Sequence, residues 1–230
     1  IAGMIDLGVC HPSECADRLI EGKTDLGLIP VAMIAGMKEY HLVSDYCLST
    51  NGEVRTVLLV SNTPFGEIST IYLDYRSRSS VTLCRILAAK AWKREYRWLP
   101  ATEEFDITRM SHGEAAVMIG DRCFEYARRF RYRLDLGLEW KKFTGLPFVF
   151  ACWVSTRRLP EQFLKLFNKA LSEGLERRNE AVSLLEEGAS ATPEEVIFYL
   201  NHNIDFRLDD QKREALAKFI EYIKELKITP

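Results

Sequence analysis

The sequence lacks the features that mark membrane, secreted and metal-binding proteins. None of its apolar runs reaches the about 18–20 residues of a membrane-spanning helix, and its first residues lack the basic-then-apolar pattern of a secretory signal. Its six cysteines include no CxxC pair, and its four histidines are far apart in sequence. We therefore expect free thiols in a reducing cytoplasm, no zinc or other metal, and no membrane partner.

Recognisable nucleotide-binding and hydrolase motifs are also absent. The sequence holds no P-loop, GxGxxG, HExxH or nucleophile-elbow pattern. It has no compact basic run and no basic module interleaved with aromatic residues, so a nucleic-acid partner is not expected. These absences favour a reaction on a small acid without a cofactor.

Charge is unevenly distributed along the chain. The net charge of −2 conceals a basic middle segment, residues 76–142, which holds 15 Lys and Arg against 9 Asp and Glu. A basic lobe of this kind attracts an anionic ligand into a cleft. The alternative is a solvated basic face with no ligand, and the composition favours neither.

A helix followed by a strand opens the pattern of predicted elements. Residues 13–22 are typical of a short helix, with Ser13 near its start and Gly22 at its end. Residues 24–32 predict a buried strand that gives way to a loop at Pro30, since proline cannot continue a central ladder. Such a unit is typical of a parallel α/β sheet.

The rest of the chain continues as strands and then changes to helices. The apolar pattern predicts strands at 54–61, 68–74, 115–121 and 146–155, a helix at 81–96, and helices after Pro160, from Pro193 through Leu200, and from Asp209. We predict two lobes, one formed by residues 1–60 plus 150–230 and the other, inserted and basic, by residues 62–145. The strands 54–61 and 146–155 stand where the chain would cross between the lobes, and two crossing strands make a hinge.

The segment from Leu73 to Val81 is the most informative for function. A strand ends there, Ser77, Ser79 and Ser80 follow, and a helix begins. The free backbone N–H groups of a helix start, Val81 among them, together with these hydroxyls suit a carboxylate or a phosphate. The alternative is plain N-capping by one serine, which any helix favours.

Four further residues stand at predicted strand ends or turns. Gly120 and Asp121 close a strand of the second lobe, and ligands of open parallel sheets bind beyond the carboxyl ends of strands. Asp121 is a candidate acid or base, or the holder of a substrate hydroxyl. Pro30 and Thr144 are candidates for presenting backbone groups to the cleft. For all of them, simple turn or capping chemistry is the alternative.

Several separated segments resemble a known family. They are PSECA (12–16), EGKTDLGLIPVA (21–32), VRTVLLVS (54–61), YLDYRSRSSV (72–81), IGDR (119–122), TGLPFVFACW (144–153) and NIDF (203–206). Together and in this order they resemble the menaquinone-biosynthesis family of the futalosine pathway, which includes chorismate dehydratase. The resemblance covers nearly the whole chain.

The resemblance implies a fold, a substrate and a reaction. The fold is α/β, a two-lobed periplasmic-binding-protein-like (type II) architecture with a hinge of two crossing strands and a helical C-terminal region. The implied reaction is the loss of water from chorismate to give 3-[(1-carboxyvinyl)oxy]benzoate, catalysed by a cytoplasmic carbon–oxygen lyase. Since chorismate is a dicarboxylate, it suits a basic lobe and a serine-rich anion site.

The sequence departs from the family pattern in two places. Relatives carry a Ser-Tyr-Leu-Asn motif on an N-terminal strand, whose Asn lies in the active site, and this sequence begins after that motif. We therefore expect the first lobe to lack that strand. Residues 47–50, CLST, differ from the small residues and Ile of relatives, and we interpret them as a cleft-facing loop.

Two other functions stay open at this stage. One is that of 1,4-dihydroxy-6-naphthoate synthase, an enzyme of the same pathway with the same fold. The other is that of a non-enzymatic solute-binding protein for a small carboxylate. The Ser-Arg-Ser-Ser and Thr-Gly-Leu-Pro-Phe segments favour the dehydratase over the synthase, and the dispersed cysteines weigh against an oxidising compartment.

Overall fold

Two β-sheets and the helices packed on them form the protein. The structure, a computed structural model, describes residues 2–74, 77–102, 105–184 and 190–229. The first sheet has the strand order β1-β8-β2-β9 and the second β5-β4-β6-β3-β7. The strands are β1 (Gly27–Pro30), β2 (His41–Thr50), β3 (Val57–Ser61), β4 (Thr70–Asp74), β5 (Arg97–Ala101), β6 (Glu114–Ile119), β7 (Tyr132–Asp135), β8 (Phe148–Ser155) and β9 (Asp205–Arg207).

The helices agree with most of the predicted ones. They are α1 (Pro12–Ile20), α2 (Val31–Ile34), α3 (Arg78–Ile86), α4 (Arg122–Tyr126), α5 (Leu136–Thr144), α6 (Glu161–Glu176), α7 (Pro193–Phe198) and α8 (Asp210–Glu225). Two π-helical segments, Leu87–Trp92 and Tyr199–Asn203, continue α3 and α7. Short 3-10 helices lie at Ala2–Met4, Phe65–Glu67, Ile107–Arg109, Ala127–Arg129 and Arg178–Leu184. No helix in the described ranges is both long and apolar enough to cross a membrane.

The first sheet differs from the expectation of a parallel sheet. Its strand pairs β1–β8, β2–β8 and β2–β9 are all antiparallel in the described part of the chain. The expectation was wrong because β1 pairs with β8. Strand β8 enters this sheet after α5, when the chain returns from the second sheet, and it runs antiparallel to β1. Strand β1 does end at Pro30, as predicted, but a short helix follows it directly where we expected a loop.

Residues 47–50 are the end of a strand, so their interpretation as a loop was wrong. They complete the ten-residue strand β2, in which Cys47 lies opposite Cys152 and Leu48 opposite Ala151. The pairing shifts register between Leu42 and Cys47 and again between Leu48 and Ser49. These irregularities interrupt the alternation of polar and apolar residues by which a strand is identified from sequence.

The second sheet combines parallel and antiparallel pairs. Strand β4 is parallel to both β5 and β6, whereas β3 is antiparallel to β6 and β7. Every residue of β3 is buried, as its continuous apolar run indicated, because both faces of the strand are covered. Val57 and Leu59 belong to the main core, and Leu58 and Val60 belong to a smaller cluster on the other face.

The chain passes between the sheets twice, at residues 51–56 and through α5. Strands β3 and β8, which we expected at the crossing, stand immediately after the two passages. The Asp135 carboxylate joins the passages, since it accepts hydrogen bonds from the backbone N–H groups of Val54 (2.9 Å), Arg55 (2.6 Å) and Leu138 (3.0 Å). Arg55 adopts a left-handed φ of 65° at this point, a conformation that a non-glycine residue rarely takes without such support. The lobe boundaries 60/62 and 145/150 stay a prediction.

The start of α5 allows no side chain beyond glycine at position 137. A Cβ atom on Gly137 would lie 2.7 Å from Cγ2 of Thr50 and 2.8 Å from the carbonyl oxygen of Gly52. The second of these atoms is backbone, so it cannot rotate away. The two passages are therefore in close contact at this glycine.

Replacement of Gly137 by alanine tests this close approach. We expect Gly137→Ala to lower the free energy of unfolding by about 1–3 kcal/mol, because overpacking forces the backbone of residues 50–52 to move. The matched control is Gly174→Ala in α6, where a Cβ meets nothing within 4 Å and alanine should add about 0.5–1 kcal/mol. Urea denaturation of the two variants measures both changes. Equal stability of the two would contradict the contact.

Candidate active site

The N-terminus of α3 is capped by a cluster of serine hydroxyls. The helix begins at Arg78, three residues before the predicted position, so Ser79, Ser80 and Val81 all lie in its first turn. Ser77 is the N-cap: its hydroxyl oxygen accepts from the backbone N–H of Ser80 (3.4 Å) and its hydroxyl donates to Oγ of Ser80 (2.7 Å). The capping role that we held as the alternative is thus present. Tyr75 and Arg76 of the same motif lie outside the described residues.

Ser79 fastens this helix start to the first sheet. Its hydroxyl donates to the carbonyl oxygen of Phe150 in β8 (2.9 Å) and accepts from the backbone N–H of Ala32 in α2 (3.3 Å). Pro30, at the N-cap position of α2, is buried directly before this contact. The hydrogen bond between Ala32 and Ser79 therefore brings Pro30, two residues before Ala32, close to the serine cluster. The role of Pro30 in a binding site stays a prediction.

The carboxyl ends of β4 and β6 meet at the same edge of the second sheet. The two strands are parallel and in register, with Thr70 opposite Glu114, so Asp74 and Ile119 end side by side. Asp74 is buried and forms an ion pair with Arg122, whose Nε donates to the carbonyl oxygen of Ile119 (3.2 Å). The ion pair ties the residues before α3 to the residues that open α4.

Gly120 and Asp121 form the exposed turn at this edge. Gly120 has a φ of +74°, a left-handed conformation in which a side chain would be strained. Its N–H donates to the carbonyl oxygen of Thr56 (2.9 Å), which places the turn against the passage between the sheets. Asp121 is exposed and makes no capping hydrogen bond to α4.

Thr144 and Val81 have surroundings of their own. The Thr144 hydroxyl donates to the carbonyl oxygen of Trp140 (2.9 Å) and accepts from the N–H of Leu146 (3.1 Å), so it completes the turn after α5. Val81 is half-buried and lines a cavity between α3 and β5. The backbone N–H of Val81 donates to the carbonyl oxygen of Ser77 (3.1 Å), so Val81 belongs to the serine-capped turn but its N–H is already engaged. The hydrogen bonds of the Thr144 side chain stay within its own turn.

Thr56 and Tyr199 were not identified from the sequence and lie against the Gly120 turn. The Thr56 hydroxyl and the Tyr199 phenol share a hydrogen bond of 2.8 Å, and the Tyr199 ring meets Phe124 of α4 edge-on at 5.5 Å. Burial, helped by the nearby Asp121 carboxylate and opposed by the hydrogen bond with Thr56, raises the pKa of Tyr199 to about 12. Tyr199 therefore stays a neutral hydrogen-bonding group at neutral pH.

Two arginines near the serine cluster have carboxylate partners. Arg78 pairs with Asp17 of α1 (3.1 Å), and Arg122 pairs with Asp74. Among the described residues, an anion at this place would therefore meet mainly backbone N–H groups and hydroxyls, which bind negative charge at a helix start. In the described ranges, no group of three or more His, Cys, Asp and Glu residues is arranged to hold a metal ion.

Known proteins match the chain over most of its length. A family model described as menaquinone biosynthesis matches residues 5–225. Chorismate dehydratase of Thermus thermophilus is 25% identical over 232 residues, covering 91% of this chain and 83% of that protein.

Solved structures resemble the fold at lower sequence identity. A protein of Archaeoglobus fulgidus has a TM-score of 0.71 at 15% identity and covers 99% of this chain and 91% of its own. The periplasmic aliphatic sulphonate binding protein of Escherichia coli has a TM-score of 0.56 at 14% identity, covering 97% and 77%. The two-lobed, periplasmic-binding-protein-like (type II) fold predicted from the sequence is thereby confirmed. Because the family model spans nearly the whole chain, this protein belongs to the menaquinone biosynthesis family.

Proposed function

We propose that this protein is a cytoplasmic chorismate dehydratase of the futalosine pathway, which converts chorismate to 3-[(1-carboxyvinyl)oxy]benzoate. The observation that carries the proposal is the match to chorismate dehydratase of Thermus thermophilus over 91% of the chain. The serine-capped start of α3 supports it as a site for a carboxylate of the substrate.

The reaction is an elimination that makes the substrate ring aromatic. A base takes the ring proton next to the carbon that carries the 4-hydroxyl, and the electrons of that C–H bond form the new double bond. The hydroxyl leaves and, with one proton, becomes water. Because aromaticity drives the step and no electrons are transferred to an acceptor, orientation and exclusion of water supply much of the catalysis.

In this proposal the residues around α3 have separate roles in binding, positioning and proton transfer. The backbone N–H groups of Arg78 and Ser79 and the Ser80 hydroxyl hold a substrate carboxylate, since Ser77 already accepts from the N–H groups of Ser80 and Val81. Ser79 keeps the helix start against β8 and α2. Asp121 is the candidate base, or the acceptor for the 4-hydroxyl. The alternative base is the side-chain carboxylate of chorismate itself.

Turnover of chorismate tests the proposal directly. The full-length protein is incubated with chorismate, without added metal or nucleotide, and the products are followed by mass and ultraviolet absorbance. We expect the loss of one water and an aromatic product that keeps the enolpyruvyl ether. Unchanged chorismate with folded protein would contradict the proposal and leave the related naphthoate synthase and simple carboxylate binding to be tested.

Substitution of Asp121 by asparagine tests the candidate base. If Asp121 takes the proton, kcat should fall about 100-fold or more while KM changes little, since a positioned base contributes about 10²–10⁴-fold. Asp25→Asn is the control, because Asp25 is an exposed carboxylate paired with Arg157. An unchanged kcat in Asp121→Asn would assign the base to the carboxylate of the substrate.

Substitution of Ser80 by alanine tests substrate binding. We expect KM for chorismate to rise about tenfold with kcat nearly unchanged, because a lost hydrogen bond to a charged group costs about 1.5 kcal/mol. Ser183→Ala, an exposed serine whose hydroxyl bonds to the carbonyl oxygen of Glu180, is the control. A KM equal to that of the control would remove Ser80 from the binding site.

A further inference from the structure

The cavity that Val81 lines lies between α3 and the edge strand β5. Its volume is about 280 Å³, and α3 contributes Arg78, Val81 and Arg85 to its wall. These residues stand three and four positions apart, so they share one face of the helix. Strand β5 contributes Trp98, Leu99 and Pro100, and strand β4 contributes Leu73 and Asp74. These two strands make an apolar wall apart from the Asp74 carboxylate, which pairs with Arg122.

Arg85 is the unusual residue of this cavity. Its guanidinium lies 5.7 Å from the centre of the Trp98 ring, and its Nε is buried without a hydrogen-bond partner. Across the described ranges no carboxylate lies within ion-pair distance of it, whereas Arg78 on the same face pairs with Asp17. A buried N–H of an arginine without an acceptor is costly, so the residue is poised to accept an anionic partner.

The cavity continues past Arg85 along the helix. A neighbouring cavity of about 440 Å³ shares Arg85 and Trp98 with the first and extends between Arg94 and residues 226–229. Arg85 therefore stands at the junction of two open spaces. The first cavity shares Asp74, Arg78 and Val81 with the region around the start of α3, whereas Ser77, Ser79 and Ser80 line neither space. The cavities therefore adjoin the candidate active site without including its serine hydroxyls.

We infer that these two connected cavities form a groove that binds a small aromatic carboxylate. Arginine recognises a carboxylate through its planar fork of donors, and Trp98 with the apolar wall offers a surface for a ring. Apolar walls around a few placed polar groups are typical of small-molecule sites. Inorganic phosphate fits less well, because it has no apolar part to contact Leu99 and Pro100.

A titration with benzoate tests this site without any turnover. The chain has four tryptophans, so the indole N–H signals of ¹⁵N-labelled protein are few, and Trp98→Phe identifies the one that belongs to Trp98. We expect benzoate to shift the Trp98 signal saturably, with a dissociation constant on the order of millimolar. Inorganic phosphate at equal ionic strength should shift it far less.

Substitutions of Arg85 decide whether the guanidinium is responsible. Arg85→Gln should weaken benzoate binding at Trp98 at least tenfold, and Arg85→Lys, which keeps the charge but loses the fork, by a smaller factor. Arg157→Gln, an exposed arginine paired with Asp25, is the charge-matched control. The melting temperature of each variant checks its fold.

Three outcomes would overturn the inference. They are a Trp98 signal that does not move with benzoate, equal shifts with phosphate, and unchanged binding in Arg85→Gln. Benzoate bound only at the candidate active site would leave Trp98 unshifted and would count against the groove. Failure of this test is distinct from failure of the proposed function, since chorismate turnover is not measured.

Discussion

The carboxylate of Asp135 holds together the two places where the chain passes between its sheets. It accepts backbone hydrogen bonds from Val54 and Arg55 on one passage and from Leu138 on the other. Burial raises the pKa of this carboxyl group, and the three N–H donors oppose that rise. The left-handed backbone at Arg55 and the close approach at Gly137 lie beside it, so the relative position of the two sheets depends on this buried group.

The candidate active site follows from this arrangement. Ser79 fixes the start of α3 to β8 and α2, and the Asp74–Arg122 ion pair fixes the end of β4 to the start of α4. Other basic residues of the middle segment also pair across elements, as Lys90 does with Glu225 and Arg128 with Glu195. Part of its excess charge therefore serves the contacts between elements.

Sequence patterns predicted the longer apolar strands, five of the helices (α1, α3, α6, α7 and α8) and the serine cluster, because their signals are local. The shorter strands β5, β7 and β9 and the helices α2, α4 and α5 were not predicted. Strand β3 is a continuous apolar run and α8 begins at an acidic N-cap, so each was identified correctly. Strand β2 was missed because its register shifts break the alternation of residues. The contact between Thr56 and Tyr199 joins residues 143 positions apart. Arg85 has no ion-pair partner in the described part of the chain, and this depends on the packing of distant segments around it. Neither leaves a trace in nearby sequence.

The contacts made by the π-helical segment after α7 depend on the number of residues in that segment. A π-helix widens the turn and accommodates a residue that an α-helix does not. Within this segment Tyr199 reaches Thr56, and the Asn203 side chain donates to the carbonyl oxygen of Glu53 (3.1 Å). Deletion of a single residue here would restore an α-helical turn and change the spacing between Tyr199 and Asn203, so that the two hydrogen bonds could no longer form together. The segment therefore tolerates substitution at its exposed positions more readily than any insertion or deletion, and gaps in related sequences should avoid it.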